Sequence, residues 1–383
     1  MSVKIRILHC IETIASGGVE QVRLTLVRGI PKDRFEHKII CTWKGGPIAE
    51  ALEAEGVELI PVGSFKHPLQ WSKHKQVLKV VREFKPHIIH GAIFEGMSMA
   101  AIGGKLGKVP ITILEETSFP QSRSQKAIYL QQLFVKVADK VIGIAPTVIS
   151  YLIDQVKIPQ SKLRLINNGV NSPREVSPNE LEELRLKLGI KNEDLIIGSA
   201  GRFYNEVKRF TDILEALNQL PIFNIKFLLL GQGPDRDLIL RKAKELGLEK
   251  QLILPGYQTD TAPFYELMDM FCIASAHEGF GLVAAEAMLH GLPVIATKVG
   301  GLQDIVLDQE TGYLVPPLSP ESLAEKIQIL IEQPELRQEM GERGKKRALE
   351  HFSAERYCRE VENLYLELLE RKGIIKKGIE NRE

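Results

Sequence analysis

The sequence predicts an α/β protein of two domains, each an open parallel sheet covered by helices on both faces. Three observations carry this reading. Short β-rich runs alternate with longer helix-period stretches along almost the whole chain, the pattern that builds parallel sheets from strand–helix–strand units. The 383 residues suffice for two domains of about 150 residues, each with its own core. A proline- and turn-rich stretch near the middle then interrupts the alternation.

In the first half the strands are expected at Ile5–Ile11, His37–Thr42, Val57–Val62, Ile88–Gly91, Ile111–Leu114, Val141–Ile144 and Leu163–Ile166. Helix-period stretches lie between them, among them Val19–Gly29, Trp71–Phe84 and Gln125–Val137. The interruption is Asn171-Ser172-Pro173-Arg174-Glu175-Val176-Ser177-Pro178-Asn179, which places the expected domains at residues 1–175 and 176–355. In the second half the strands read Leu195–Ala200, Ile225–Leu230, Gln251–Leu254, Met270–Ala274 and Pro293–Thr297. Helices are expected near Arg209–Leu220, Asp235–Leu246 and Leu282–His290. A last strand signal at Gly312–Val315 precedes helices from Pro334 to about Lys372. Two open α/β domains joined by a linker imply a cleft at the carboxyl ends of their strands, where ligands bind in such folds.

Composition narrows the class. Hydrophobic residues at 44% and charged residues at 26% are those of an average soluble globular protein, which excludes disorder, collagen and coiled coil for most of the chain. Lys and Arg number 50 against 49 Asp and Glu, so nothing points to nucleic acid as a partner. Cys10, Cys41, Cys272 and Cys358 are far apart and form no C-x-x-C pair, which fits a reducing cytosol. No apolar run reaches the roughly 18 residues of a membrane span, and the start of the chain has no cleavage site of the signal-peptide kind. A cytoplasmic location is expected.

Three stretches carry chemistry. The first, Ala15-Ser16-Gly17-Gly18-Val19-Glu20, follows the first strand. Its glycines let backbone approach a ligand, and the following helix offers free N–H groups to an anion. It reads equally as a tight turn with Ser16 as N-cap. The second, Gly201-Arg202-Phe203-Tyr204-Asn205-Glu206-Val207-Lys208-Arg209, sets cations after a strand, where a planar guanidinium and a compact ammonium suit a diphosphate. A solvated basic loop is the other reading. The third runs from Ser275 to Glu286, with Glu278 in a loop, glycine on both sides of Phe280, and Glu286 one turn into a helix. Amides around Phe280–Leu282 lie at the positive end of that helix and suit a phosphate, and the two carboxylates could grip two sugars of one ligand. The plainer account is a capping carboxylate plus a surface glutamate.

Smaller signals weigh less. Gly231-Gln232-Gly233-Pro234 reads as a turn, and Asp235-Arg236-Asp237 as a helix start more than a metal site. His9, His87 and His90 lie near strand ends, where a lone histidine is more often a satisfied core residue; His90 is the best placed for the cleft. The dinucleotide fingerprint G-x-G-x-x-G, the G-x-S-x-G elbow and the G-K-[ST] phosphate loop are all absent.

Taken together and in this order, the motifs resemble those of the family 4 (group 1) retaining glycosyltransferases of the GT-B fold, over nearly the whole chain. The shared residues are the G-G-V-E loop at Gly17–Glu20, the Arg202/Lys208 pair, the G-x-G-P turn and the E-x7-E pair Glu278/Glu286 around Glu278-Gly279-Phe280-Gly281. Val299-Gly300-Gly301 and Thr311-Gly312-Tyr313-Leu314-Val315 complete them. The resemblance implies two Rossmann-like domains facing each other across a cleft, with a terminal helix, residues 356–383, crossing back to the first. It implies a nucleotide-diphosphate sugar as co-substrate, with no cofactor and no metal. Arg202 and Lys208 would stabilise the departing diphosphate, and Glu278 would contact the donor sugar. Glu286 would hold the ribose, and the amides of Phe280, Gly281 and Leu282 phosphate or sugar oxygens. Gly256 and Tyr257 would lie beside the base, and Gly17 and Gly18 would close over the diphosphate. Where the family often carries a histidine after the fifth strand, this chain reads Glu115-Glu116-Thr117, so Glu116 is expected to bind a sugar hydroxyl instead.

The acceptor is expected to be a saccharide or a lipid-linked one. An anionic membrane surface is a further expected partner, through the basic, apolar-striped stretch Ser64–Lys85. Its other reading is an amphipathic helix packed on the sheet. The rival functions are a nucleotide-sugar epimerase or hydrolase, a Rossmann oxidoreductase, and a non-catalytic sugar-nucleotide-binding subunit.

Overall fold

Two parallel sheets organise the chain, and every strand expected from the sequence lies in one of them. The computed structural model describes residues 4–15, 17–118, 123–221 and 224–376. They divide into two units: unit 1 runs to Gly169 and resumes at Ala354, and unit 2 is Val170–Ser353. The division thus falls at Gly169/Val170, six residues before the proline-rich stretch ends domain 1 in the sequence reading, and the later one at Ser353/Ala354.

Unit 1 begins with β1 (Ile5–Cys10), the two-residue β2 (Thr13–Ile14) and α1 (Gly18–Gly29). It continues through β3 (Phe35–Cys41), β4 (Trp43–Lys44), α2 (Pro47–Ala54), β5 (Glu58–Pro61) and α3 (Trp71–Phe84). Then come β6 (Ile88–Ala92), α4 (Ile93–Gly107), β7 (Ile111–Glu116), α5 (Gln125–Val137), β8 (Lys140–Gly143), α6 (Pro146–Asp154) and β9 (Leu163–Leu165). The sheet order is β5-β3-β1-β6-β7-β8-β9, with β2 and β4 paired apart. Successive strands move outward from β1 and then, after β5, outward on its other side, so the order reverses between β1 and β6. Ile7, Ile39, Ile89 and Ile113 are all fully buried, as strands covered on both faces require.

Unit 2 opens with α7 (Pro178–Leu188), whose Ser177 side chain caps the Glu180 amide. It proceeds through β10 (Leu195–Ala200), α8 (Asn205–Lys208), α9 (Phe210–Asn218), β11 (Ile225–Leu230), α10 (Arg236–Glu245) and β12 (Leu252–Gly256). Next are α11 (Ala262–Glu266), β13 (Met270–Ile273), α12 (Leu282–Leu289), β14 (Val294–Thr297), α13 (Leu302–Ile305) and β15 (Gly312–Val315). The unit ends with α14 (Pro320–Glu332) and α15 (Pro334–Phe352). Its sheet order is β12-β11-β10-β13-β14-β15, so the reversal lies between β10 and β13. The helical run expected from Pro334 is two helices: the chain is extended at Ser353, which bridges to Val170, and α16 (Ala354–Arg371) belongs to unit 1.

Helix α16 covers a buried polar group in unit 1. Arg23, fully buried on α1, donates to Glu115 Oε2 at 2.7 Å, and His90 Nδ1 lies 2.7 Å from the Tyr365 hydroxyl of α16. His9 Nε2 meets His37 Nδ1 at 3.0 Å. Burial alone would raise the Glu115 carboxyl, but Arg23 and His90 bring it down to about 2. Burial, then the Arg23 charge, lowers all three imidazoles, His37 to about 4. His90 is therefore a satisfied core residue, the commoner of its two readings, and not a ligand-facing one. His87 likewise accepts the Arg6 amide, at 2.9 Å.

Helix α3 follows the second of its two readings, an amphipathic helix with a packed face. Val77, Leu78, Val81 and Phe84 of its apolar stripe are buried, so the stripe is core and unavailable to a membrane. Leu69 and Trp71 remain about half exposed, beside the exposed Lys66, Lys75, Lys79, Arg82 and Lys85. No helix among the described residues is long and apolar enough to cross a membrane.

Candidate active site

The reversal in strand order of the unit 2 sheet places two loops side by side, one after β10 and one after β13, and such switch points hold ligands in open α/β sheets. The first loop carries Arg202 and Lys208, and the second carries Glu278. Asp235 accepts the Asn205 amide at 2.6 Å, which starts the single turn of α8. Lys208 stands on that turn, and Arg209 leaves it in the left-handed region, pinned by two bonds to Asp212. The Ala276 amide donates to the Val207 carbonyl at 2.8 Å and ties the loops together.

Across that tie Lys208 Nζ donates to Glu278 Oε2 at 2.6 Å, and Ser275 Oγ reaches the same oxygen at 3.4 Å. The other Glu278 oxygen accepts nothing from a described residue. Lys208 has two further N–H donors for an anion. Arg202 is exposed and enters no ion pair among the described residues.

Phe280 is buried edge-on against Phe352, at 5.7 Å between ring centroids, so only its backbone remains available to a ligand. Gly281 follows at φ +104 as the N-cap of α12. The amides of Phe280, Gly281 and Leu282 make no backbone hydrogen bond among the described residues and stand at the positive end of the helix. One turn on, Glu286 is half-buried and accepts from the Tyr265 hydroxyl at 3.0 Å. Burial pushes its carboxyl up, and that hydrogen bond pulls it partly back.

Glycines of the G-x-G-P turn and of Val299-Gly300-Gly301 brace these loops. A Cβ on Gly300, at φ +47, would overlap the Glu278 carbonyl oxygen, and one on Gly301 would come within 2.6 Å of the Phe280 carbonyl oxygen. A Cβ on Gly231 would overlap the Gly201 carbonyl oxygen, and one on Gly233 that of Phe203. Only backbone without side chains can support the loops from below. Gly256, at φ +87, accepts from the Gly231 amide at 3.0 Å, and Tyr257 beside it is 37% exposed. Asp235 therefore serves the first loop, and among the described residues no cluster of His, Cys, Asp and Glu could hold a metal.

In unit 1, Gly17 and Gly18 are exposed at the start of α1, where the helix N-cap is Gly17; Ser16 lies outside the described residues. Glu20 accepts from Thr13 Oγ1 at 3.2 Å. Burial raises its carboxyl, while neighbouring backbone amides and the Thr13 hydroxyl pull it back. The Glu20 carboxylate occupies the place of a Gly17 side chain, which accounts for the glycine. Glu116 departs from expectation. It is fully buried and accepts from Arg123 at 2.6 Å, Gln131 at 2.8 Å and Ser118 Oγ at 2.9 Å. With both oxygens taken inside the unit, it does not present the carboxylate to a sugar hydroxyl.

Residues 16–174 match the family model described as Glycosyltransferase Family 4, and residues 180–347 that described as Glycosyl transferases group 1. An uncharacterized glycosyltransferase of Methanocaldococcus jannaschii, MJ1178, is 30% identical over 286 residues, 73% of this chain and 74% of that protein. The chain belongs to the family 4 glycosyltransferases. N-acetyl-alpha-D-glucosaminyl L-malate synthase of Bacillus anthracis is 28% identical over 236 residues. That match spans about three fifths of each protein, 61% of both. The fold is that of GT-B glycosyltransferases. Alr3699/HepE of Anabaena, crystallised with UDP, superposes with a TM-score of 0.82 at 22% identity, over 95% of this family 4 chain and all of the other.

Proposed function

We propose that this family member is a retaining glycosyltransferase that needs no metal and moves a sugar from a nucleotide-diphosphate sugar to a saccharide or lipid-linked acceptor in glycan synthesis. The observation that carries the reading is the Lys208–Glu278 pair at the foot of α12, with Arg202 on the adjoining loop. Breaking the anomeric bond builds negative charge on the diphosphate and positive charge on the sugar. Arg202, Lys208 and the amides of Phe280, Gly281 and Leu282 would meet the first charge, and Glu278 the donor sugar. Glu286 would hold the ribose, Gly256 and Tyr257 would flank the base, and Gly17 and Gly18 would reach the diphosphate. The fixed cations of the chain itself are the basis for a reaction without a metal. Retention would follow from attack by the acceptor on the face that the diphosphate leaves.

The test is a thermal-shift screen with UDP, GDP, ADP and NAD, each with EDTA and with magnesium. A ligand at about 100 times its dissociation constant adds about 2.7 kcal/mol. A shift with one nucleoside diphosphate that survives EDTA supports the reading, and a shift only with NAD or only with magnesium ends it.

For a lipid-linked acceptor, the exposed Leu69 and Trp71 with Lys66, Lys75 and Lys79 would touch an anionic bilayer. Flotation with vesicles that contain anionic lipid, and not with neutral ones, is the expected result. Equal flotation with both removes the electrostatic contact.

A further inference from the structure

Glu286 would need a fixed direction to recognise a ribose, because a glutamate free to turn loses much of its rotamer freedom on binding. The structure supplies that direction from a residue outside the sequence motifs. Tyr265 lies on α11, two elements before α12 in the chain, and is 1% exposed. Its ring stacks on His290 at 4.9 Å between centroids and 13° between planes, and on Phe271 at 5.5 Å and 30°. His290 is held in turn by Glu266 at 2.9 Å. A phenol clamped between two rings cannot follow a mobile partner, so its hydroxyl marks one position for Glu286 Oε2, 3.0 Å away. Glu286 Oε1 accepts nothing from a described residue.

The two carboxylates of the E-x7-E motif are thus built alike. Each has one oxygen fixed from within the unit, Glu278 by Lys208 and Glu286 by Tyr265, and the other left open. We infer that Tyr265 is a positioning residue: it holds Glu286 Oε2 so that Oε1 meets the ribose hydroxyls of a bound nucleoside diphosphate. The inference rests on the ribose role of Glu286 given above and adds the residue that fixes it.

The test compares UDP with 2′,3′-dideoxy-UDP, and GDP with its dideoxy form, by titration calorimetry on the full chain. A hydrogen bond to a charged group supports a preference of about tenfold or more for the ribose form. Tyr265→Phe keeps both stacked faces and removes one oxygen, so the fold should melt as before while most of that preference disappears. What remains should set in at higher pH than in the unsubstituted protein, because the carboxyl has lost a hydrogen bond that lowers it. A purely structural phenol would move neither quantity. Full preference at an unchanged pH in Tyr265→Phe overturns the inference, as does a Tyr265→Phe protein that does not fold. Glu286→Ala separates the two claims. If it abolishes the preference and Tyr265→Phe does not, only the role of Tyr265 falls. If Glu286→Ala keeps the preference, or neither nucleotide binds, the ribose reading of Glu286 falls and takes this inference with it.

Discussion

Lys208 Nζ lies 2.6 Å from Glu278 Oε2, joining two residues seventy positions apart through loops that leave adjacent strands. The ammonium is already oriented before any ligand arrives, which is the condition for it to stabilise a departing diphosphate without reorganising. Removing one such donor costs about 2.7–4 kcal/mol in the transition state, so Lys208→Ala should lower turnover by roughly 100-fold or more. Its melting temperature should move little, because the pair is partly open to water. Steady-state assays with a saturating sugar nucleotide decide it, and a loss of tenfold or less would place Lys208 outside the reaction.

Gly300→Ala should disable the site through the backbone. The added methyl overlaps the Glu278 carbonyl oxygen, so the loop must shift. Both the melting temperature and the affinity for the nucleoside diphosphate should fall. Gly247→Ala is the matched control. At φ +70 with open space around it, that variant bears only the left-handed strain, about 1–2 kcal/mol, and should bind normally.

Glu116→Gln should act on stability and spare the reaction. The substitution leaves Arg123 facing a neutral amide in a buried site, a loss on the order of 3 kcal/mol. Thermal denaturation should show the drop, and donor titration should show no change. An unaltered melt with a tenfold loss of turnover would return Glu116 to the site.

Glu286→Gln should stabilise the protein at neutral pH. Burial raises the Glu286 carboxyl in the folded state, so folding favours its protonated form. That favourable contribution is complete below the unfolded value of 4.5 and is lost as pH rises through the folded one. The glutamine should therefore melt higher at pH 7 to 8, with the gain vanishing near pH 4, while affinity for the nucleoside diphosphate falls. Melting curves across that range check the sign.

Acid should loosen unit 1 through its histidines. His9, His37 and His90 are held neutral by burial, so below the ordinary value of 6.5 the unfolded chain binds protons that the folded one refuses. Stability should decline from pH 6.5 towards 4, by up to about 1.4 kcal/mol per pH unit for each histidine. His37→Gln should flatten the slope. A melting temperature constant over that interval would contradict it.

The strands were well declared in the sequence, because strand–helix alternation is a short-range pattern. Leu195–Ala200, Ile225–Leu230 and Gly312–Val315 match their strands residue for residue, since strand–helix alternation and flanking turns mark them locally. What stayed hidden depends on who meets whom across the fold. The carboxylate at Glu116 looked free for a ligand because Arg123 and Gln131, 7 and 15 residues further along the chain, give no sign of turning back to it. Asp235 stands at the N-cap position of α10, as its sequence suggested, but the partner of its carboxylate, the Asn205 amide, is thirty residues away and gave no local sign. Tyr265 gave no signal, being one aromatic among many until the fold stacks it on His290. The stripe on α3 was visible, but whether it faced protein or lipid was decided only by α4, whose Gly103 and Gly107 lie against Val77 and Val81.

The return of α16 to unit 1 has a consequence for synthesis. Unit 2 is one unbroken stretch and can close as soon as it has left the ribosome. Unit 1 begins before unit 2, yet the tyrosine that meets His90 and the helix that lies along α1 are made only after unit 2. The half that emerges earliest must wait with an uncovered face while nearly two hundred further residues are translated. Domains usually mature in the order of their synthesis; here the earlier unit is finished by a helix made after the later one. A nascent chain stalled before residue 354 would hold a complete second unit and an unfinished first, a substrate suited to chaperones.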